Sequence, residues 1–308
     1  MSASAANQPS VMATVSERTQ AQTIAVSFDR CLCIHSVPQI LDEVIRYILY
    51  ERGVVPEMVN DILVSAECNT NQHVLTESVA QNNAADHCAG DPFAKPSPSA
   101  RARTKFIRQF STLRNGLREA FRRKNAGRIR EVALIIGPAV YNAHDLYRVR
   151  FPHCDNCGED DDAHSDQQHS AVQLQPEQQQ HDCRASNRAA ASLSERDFQR
   201  TAASLVGNSL AAQFRRLPAS ASARRLSVLL FAHHSVQLEN TGFEIRDSFT
   251  LPSDAQLVKR RTSLARLFVT HGRCCAAPLR VADDSTWDVT GETDCLWFAL
   301  STPLDGFL

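Results

Sequence analysis

A chain of 308 residues that is 43% hydrophobic can bury a real core, as one domain with tails or two small domains, so global disorder is excluded. The 33 Lys and Arg residues are balanced by 34 Asp and Glu, and a net charge of −1 exerts no overall pull toward nucleic acid or anionic membrane. Ten cysteines follow a start rich in Ala, Ser, Thr and Gln rather than a basic-then-apolar leader, so they read as reduced thiols of a cytosolic or nuclear protein.

Residues 1–23 read as a disordered tail, and one domain is expected over 24–308. From Ser36 to about Arg52, Ile40, Leu41, Val44, Ile45, Ile48 and Leu49 recur at helical spacing. Ser36 and Gln39 have capping-box spacing, and Gly53 closes this first helix. A polar stretch from about 67 to 102 ends in the Pro-rich Lys95–Pro98 and reads as a low-complexity loop. The periodicity then predicts a second helix from Thr104 to about Asn125, with Phe106, Phe110, Leu113, Leu117 and Phe121 on one face and Gly127 as its stop.

Val132–Ile136 is an unbroken apolar run of strand length before the Gly137-Pro138 turn, and Tyr147–Phe151 alternates like a strand. About 153–192 holds the acidic run Glu159–Asp162 and Gln178–Gln180, and reads as a disordered insertion. Ser194 is expected to cap a third helix running to about Phe214. The rest reads as β-structure: Leu226–Ala232, Phe243–Leu251, Leu264–Thr270 and Cys295–Leu300. No run approaches the ~20 apolar residues of a membrane span. Strands apolar on both sides call for cover on both faces, which the helices can supply, so an α/β (α+β) domain is expected.

The candidate chemistry is thin. Cys154 and Cys157 form a C-x-x-C knuckle near His153, His164, His169, His181 and Cys183, but no second knuckle completes a tetrahedral zinc site. No G-x-S-x-G elbow, P-loop or G-x-G-x-x-G occurs, and no nucleophile can be paired with a base, so no enzyme and no cofactor are expected. His233 and His234 end a core strand, where adjacent side chains point to opposite faces and one meets solvent.

The second helix carries the densest charge. Between Arg101 and Arg130 stand eleven Lys or Arg residues and one acid, Glu119. Arg114, Arg118 and Arg122 recur at i, i+4 and i+8 and form a ridge. Such a ridge serves as a solvated face, as a phosphate-binding arm or as a docking face for an acidic protein. The absence of stacking aromatics on it weighs against nucleic acid.

Several strings in order resemble the Comet family, HORMA-like adaptors that bind the closed form of the spindle-checkpoint protein Mad-two. They are Leu41–Arg52 (LDEVIRYILYER), Lys95–Pro98 (KPSP), Arg130–Gly137 (REVALIIG) and Asp294–Ala299 (DCLWFA) with Pro303 and Gly306-Phe307. The similarity covers roughly residues 36–152 and 194–308.

It implies a HORMA-like domain in which three helices back a mainly antiparallel sheet. It also implies a role in mitotic checkpoint silencing: blocking Mad-two's dimerisation face and presenting it to an AAA+ remodelling ATPase. The expected setting is nucleus and cytoplasm, at spindle and kinetochore in mitosis, with no small-molecule substrate and no membrane partner. The resemblance implies docking on the checkpoint protein largely through the long central helix, here Thr104–Asn125, whose spaced ridge Arg114, Arg118 and Arg122 is the expected face; it also places contacts at Glu51, Phe198 and Ala202, and ATPase contacts at Phe243, Ile245 and Arg246. Glu51 replaces the family's amide, Phe198 stands in for a Phe expected near Thr201-Ala202, and the Pro preceding Arg246 is absent. HORMA adaptors of translesion synthesis or autophagy, and a nucleic-acid-binding protein using residues 101–130, are the alternatives.

Overall fold

The computed structural model describes residues 22–28, 36–65, 97–125, 127–151, 195–214, 225–260, 262–271 and 294–307. In chain order the elements are β1 (Gln22–Phe28), α1 (Ser36–Glu51), α2 (Pro98–Ala120), β2 (Ile129–Ile136), β3 (Asp145–Arg150) and α3 (Glu195–Phe214). They continue with β4 (Arg225–His233), β5 (Phe243–Ile245), α4 (Asp254–Lys259), β6 (Ser263–His271), β7 (Cys295–Leu300) and β8 (Leu304–Asp305).

The eight strands form one mixed sheet in the order β1-β6-β3-β2-β4-β7-β5, with β8 beside β4. Pairing is mostly antiparallel; only β1 with β6 and β3 with β6 run parallel. β7 and β8 line the same side of β4, Leu229 opposite Ala299 and Leu226 opposite Leu304, with the kink at 301–303 between them.

The period-two pleat sorts the strands into two cores. Val132, Leu134 and Ile136 of β2, Val228 and Leu230 of β4, and Leu267 and Val269 of β6 face α1, α2 and α3 in one cluster. Alternate residues Ala133, Ile135, Leu229, Trp297 and Ala299 face the other way and are covered by Phe249 and by Leu257 of α4. The protein is thus α+β, with its three long helices on one face. Helices contribute to both faces, but on the second the cover among the described residues is the short α4, through Leu257, together with Phe249 and Leu251 rather than a long helix.

α1 is the central helix. Eleven of its sixteen residues are buried, including Asp42, Glu43 and Arg46. These three charged positions therefore sit inside the helical layer, and only Glu51 at the helix end is a charged residue exposed to solvent.

Several boundaries differ from the expectations. α2 begins at Pro98, not Thr104, so the polar loop of 67–102 loses its last residues to a helix. Ser97 accepts from the Ala100 N–H at 3.1 Å and Pro98 fills the first turn, where a missing N–H costs nothing. The helix stops at Ala120 rather than Asn125. Phe121 caps it, a 3-10 turn follows at Arg123–Asn125, and the Asn125 side chain donates to the Ala120 carbonyl at 2.9 Å.

β1 was not expected, and it takes Gln22 and Thr23 from the supposed tail of residues 1–23. Its Ile24, Val26 and Phe28 alternate with exposed residues. A helical turn at 59–65 and α4 were also unforeseen. The expected strand Phe243–Leu251 shrinks to Phe243–Ile245, because the chain turns away at 247–248 to lay Phe249 on the second core. Cys295–Leu300 forms as expected. The insertion at 153–192 lies outside the described residues apart from its surroundings, as do Cys154, Cys157 and their neighbouring histidines.

Candidate protein-docking surface

Opposite the buried stripe of Phe106, Phe110, Leu113, Leu117 and Ala120, α2 turns outward Arg101, Thr104, Arg108, Ser111, Thr112, Asn115 and Arg118. Arg101 and Arg108 make no ion pair among the described residues. The flanks are different, because there the basic side chains are matched. Arg103 meets Glu57 at 3.1 Å, and Lys105 meets Asp305 at 2.7 Å.

The three-arginine ridge expected from spacing is broken up. Arg114 leans inward, with Nε 3.1 Å from Asp42 Oδ2. Burial pulls its pKa below the usual guanidinium range, and Asp42 opposes that shift. Arg122 lies past the end of α2 and binds Glu119 at 2.5 Å. Of the three, Arg118 is the exposed one that remains on the helix.

Asp42 is the centre of the inner cluster. Its Oδ2 also takes Arg46 Nη2 at 2.6 Å, while Arg46 donates to Asn60 and lies over the Phe110 ring at 5.7 Å. Burial raises the Glu43 carboxyl beside them above its ordinary range, with Arg46 as the main opposing charge. These partners were missed in the sequence. The available signal was three charges within little more than one turn, Asp42, Glu43 and Arg46, set in a helix otherwise apolar nearly all round.

Glu51 is exposed at the end of α1. Phe198 and Ala202 are not surface residues: they are 8% and 0% exposed, and the Phe198 ring stacks on Phe28 at 6.4 Å. The α3 stripe of Phe198, Ala202, Val206 and Leu210 is simply the face that packs on the core. This corrects their assignment as partner contacts.

The second expected segment sits on the sheet's outer edge. β5 pairs only with β7 among the described strands. Phe243 is turned in and buried, whereas Ile245 is 52% exposed and Arg246 is exposed, its N–H donating to the Trp297 carbonyl at 2.8 Å. Phe243 is therefore an anchor for Ile245 and Arg246 rather than a contact.

The edge is tied to the underside of α2. A Cβ at Gly116 would stand 2.3 Å from the Thr241 carbonyl oxygen, so only glycine lets the turn at 240–242 approach. Asn125 clasps the same loop: its Nδ2 donates to the Gln237 carbonyl at 2.8 Å and its Oδ1 accepts from the Gln237 N–H at 2.9 Å.

At the other end of α2, Asp305 accepts from Lys105, Gln109 and Arg225. Partial burial pushes the Asp305 carboxyl up, but these hydrogen bonds outweigh it and its pKa lies below the usual carboxylate range.

The histidine pair behaves differently from a strand pair. The His233 and His234 rings are 4.2 Å apart rather than on opposite faces, because the strand ends there and His233 Nδ1 closes a turn with Ser235 Oγ at 2.7 Å. Among the described residues no group of three or more His, Cys, Asp or Glu side chains is placed to hold a metal. No described helix is long and apolar enough to cross a membrane. No protein-family model matches the chain, and no curated protein is significantly similar to it.

Proposed function

We propose that this chain is a non-enzymatic adaptor with a HORMA-like domain. It binds the closed form of the Mad-two checkpoint protein and presents it to an AAA+ remodelling ATPase, promoting mitotic checkpoint silencing in nucleus and cytoplasm. The observation that carries the reading is the outer face of α2, a 23-residue helix held on the outside of the sheet with exposed arginines facing away from the core. A protein that works through a surface needs such a rigid, outward element. The α+β layering, with three helices on one face of a mainly antiparallel sheet, is also what the resemblance calls for.

On this reading the checkpoint-protein surface comprises Arg118 and Glu51 with the outward residues of α2, and the ATPase surface comprises Ile245 and Arg246 on the β5 edge. The two surfaces belong to one packed unit through Gly116 and Asn125. The test is conversion of closed to open checkpoint protein by the purified ATPase, followed with and without this chain. Stimulation that Ile245→Ala with Arg246→Glu removes is expected. Conversion that ignores the chain overturns the proposal.

A further inference from the structure

We infer that the outer edge of β1 is a self-association surface, on which a second copy of this chain adds its own β1 antiparallel about a two-fold axis at Ala25. This edge lies at the far end of the sheet from β5 and is separate from the adaptor surfaces.

Three observations carry it. First, the edge is open. β1 pairs only with β6 among the described strands, so every second residue of Gln22–Phe28 points its N–H and C=O away from the sheet. Second, the two edges of the sheet are built differently. β5 is three residues long, and the exposed Glu244 and Arg246 put charge on it; shortness and charge are the usual guards against edge-to-edge pairing. β1 is seven residues long, and its sequence QTIAVSF holds no charge, no proline and no glycine. Such a strand keeps its backbone template intact for another strand.

Third, β1 is complementary to itself. Ile24, Val26 and Phe28 belong to the helix-side core, whereas Thr23, Ala25 and Ser27 are exposed on the other face. An antiparallel pair centred on Ala25 engages the whole strand, with Ile24 opposite Val26 of the partner subunit and Thr23 opposite Ser27 of the partner subunit. Apolar then meets apolar on one face, hydroxyl meets hydroxyl on the other, and no like charges are opposed. Sliding the pair by one residue would set Ile24 against the partner's Ser27 and lose the match. A charged segment of another protein would find no counter-charge on this strand, whereas a second β1 supplies the complementary half itself.

Sedimentation equilibrium of the purified full chain, from micromolar to submillimolar concentration, tests this. A monomer–dimer equilibrium is expected. Thr23→Lys with Ser27→Lys sets lysine against lysine at both symmetry-related pairs and should weaken dimerisation by roughly tenfold or more. Thr23→Glu with Ser27→Lys sets glutamate against lysine instead, and should dimerise at least as tightly as the native chain. Both residues are exposed, so each variant should keep the native circular dichroism. A dimer indifferent to the lysine pair, or one that the glutamate–lysine pairing fails to restore, overturns the inference. So does a chain that stays monomeric throughout, and slow amide exchange at 22–28 in that monomer would assign the edge to another segment of the same chain.

Discussion

Asp42 Oδ2 lies 3.1 Å from Arg114 Nε, so one residue of the outer basic helix is turned inward to neutralise a carboxylate of the central helix. Arg46 shares that same oxygen at 2.6 Å. The charges are unequal in their surroundings: side chains of Asp42 and Arg46 are 8% and 10% exposed, whereas Arg114 is 27% exposed.

Asp42→Ala should therefore cost more than Arg114→Ala. Removing the carboxylate takes the shared ion-pair partner from the buried Arg46, which keeps Asn60, and from the part-exposed Arg114, a loss of about 3 kcal/mol. Removing Arg114 leaves Asp42 paired with Arg46 and should cost about 1 kcal/mol. Urea unfolding of the two variants reads the difference. Equal costs would mean that the cluster is solvated.

Acid should loosen the contact between the C-terminal strand and α2. The folded Asp305 carboxyl titrates below the ordinary value of about 4, so its stabilisation is complete above that value and is lost as pH falls through the depressed folded value. Asp145 has the opposite sign: burial raises its carboxyl, outweighing the opposing Arg52 charge 3.0 Å away, so its effect favours folding at low pH and fades as pH rises through the raised value. The difference in stability between the native chain and Asp305→Asn isolates the first effect. That difference should shrink below about pH 4.

Gly116→Ala tests the seating of the β5 edge on α2. Alanine normally gains up to about 1 kcal/mol in a helix interior. Here its Cβ would collide with the Thr241 carbonyl, so the change should instead destabilise by about 1–3 kcal/mol. Amide resonances of 240–246 should move most. A stabilised variant with unmoved β5 resonances would refute the close approach.

Phe307→Ala tests whether the chain's end belongs to the core. Its ring meets Phe106 edge-on at 5.6 Å, its N–H donates to the Val54 carbonyl at 3.1 Å, and it is 8% exposed. A loss of about 3 kcal/mol in thermal or urea unfolding is expected. A negligible loss would show that residues 303–307 are dispensable.

Periodicity was a good guide where one face alone is buried. The α2 stripe at Phe106, Phe110, Leu113 and Leu117 and the β7 run from Cys295 lie where the pattern puts them. It was a poor guide to charge. Arg114 and Arg118 share a helical ridge by spacing, yet a neighbouring helix carrying a buried Asp42 draws one inward, and that neighbour is a tertiary fact. The same holds for Phe198 and Ala202, whose stripe is the packing face of α3. β1 was missed although Ile24, Val26 and Phe28 alternate cleanly, because the polar residues before them masked a short edge strand.

The adaptor reading is tested most directly by titrating the purified chain into closed Mad-two and measuring heat and complex size. A discrete complex is predicted, weakened by Arg118→Glu, a charge reversal at an exposed position of α2. No complex at micromolar concentrations of both proteins, or one indifferent to Arg101, Arg108 and Arg118 together, would contradict the docking face assigned to α2.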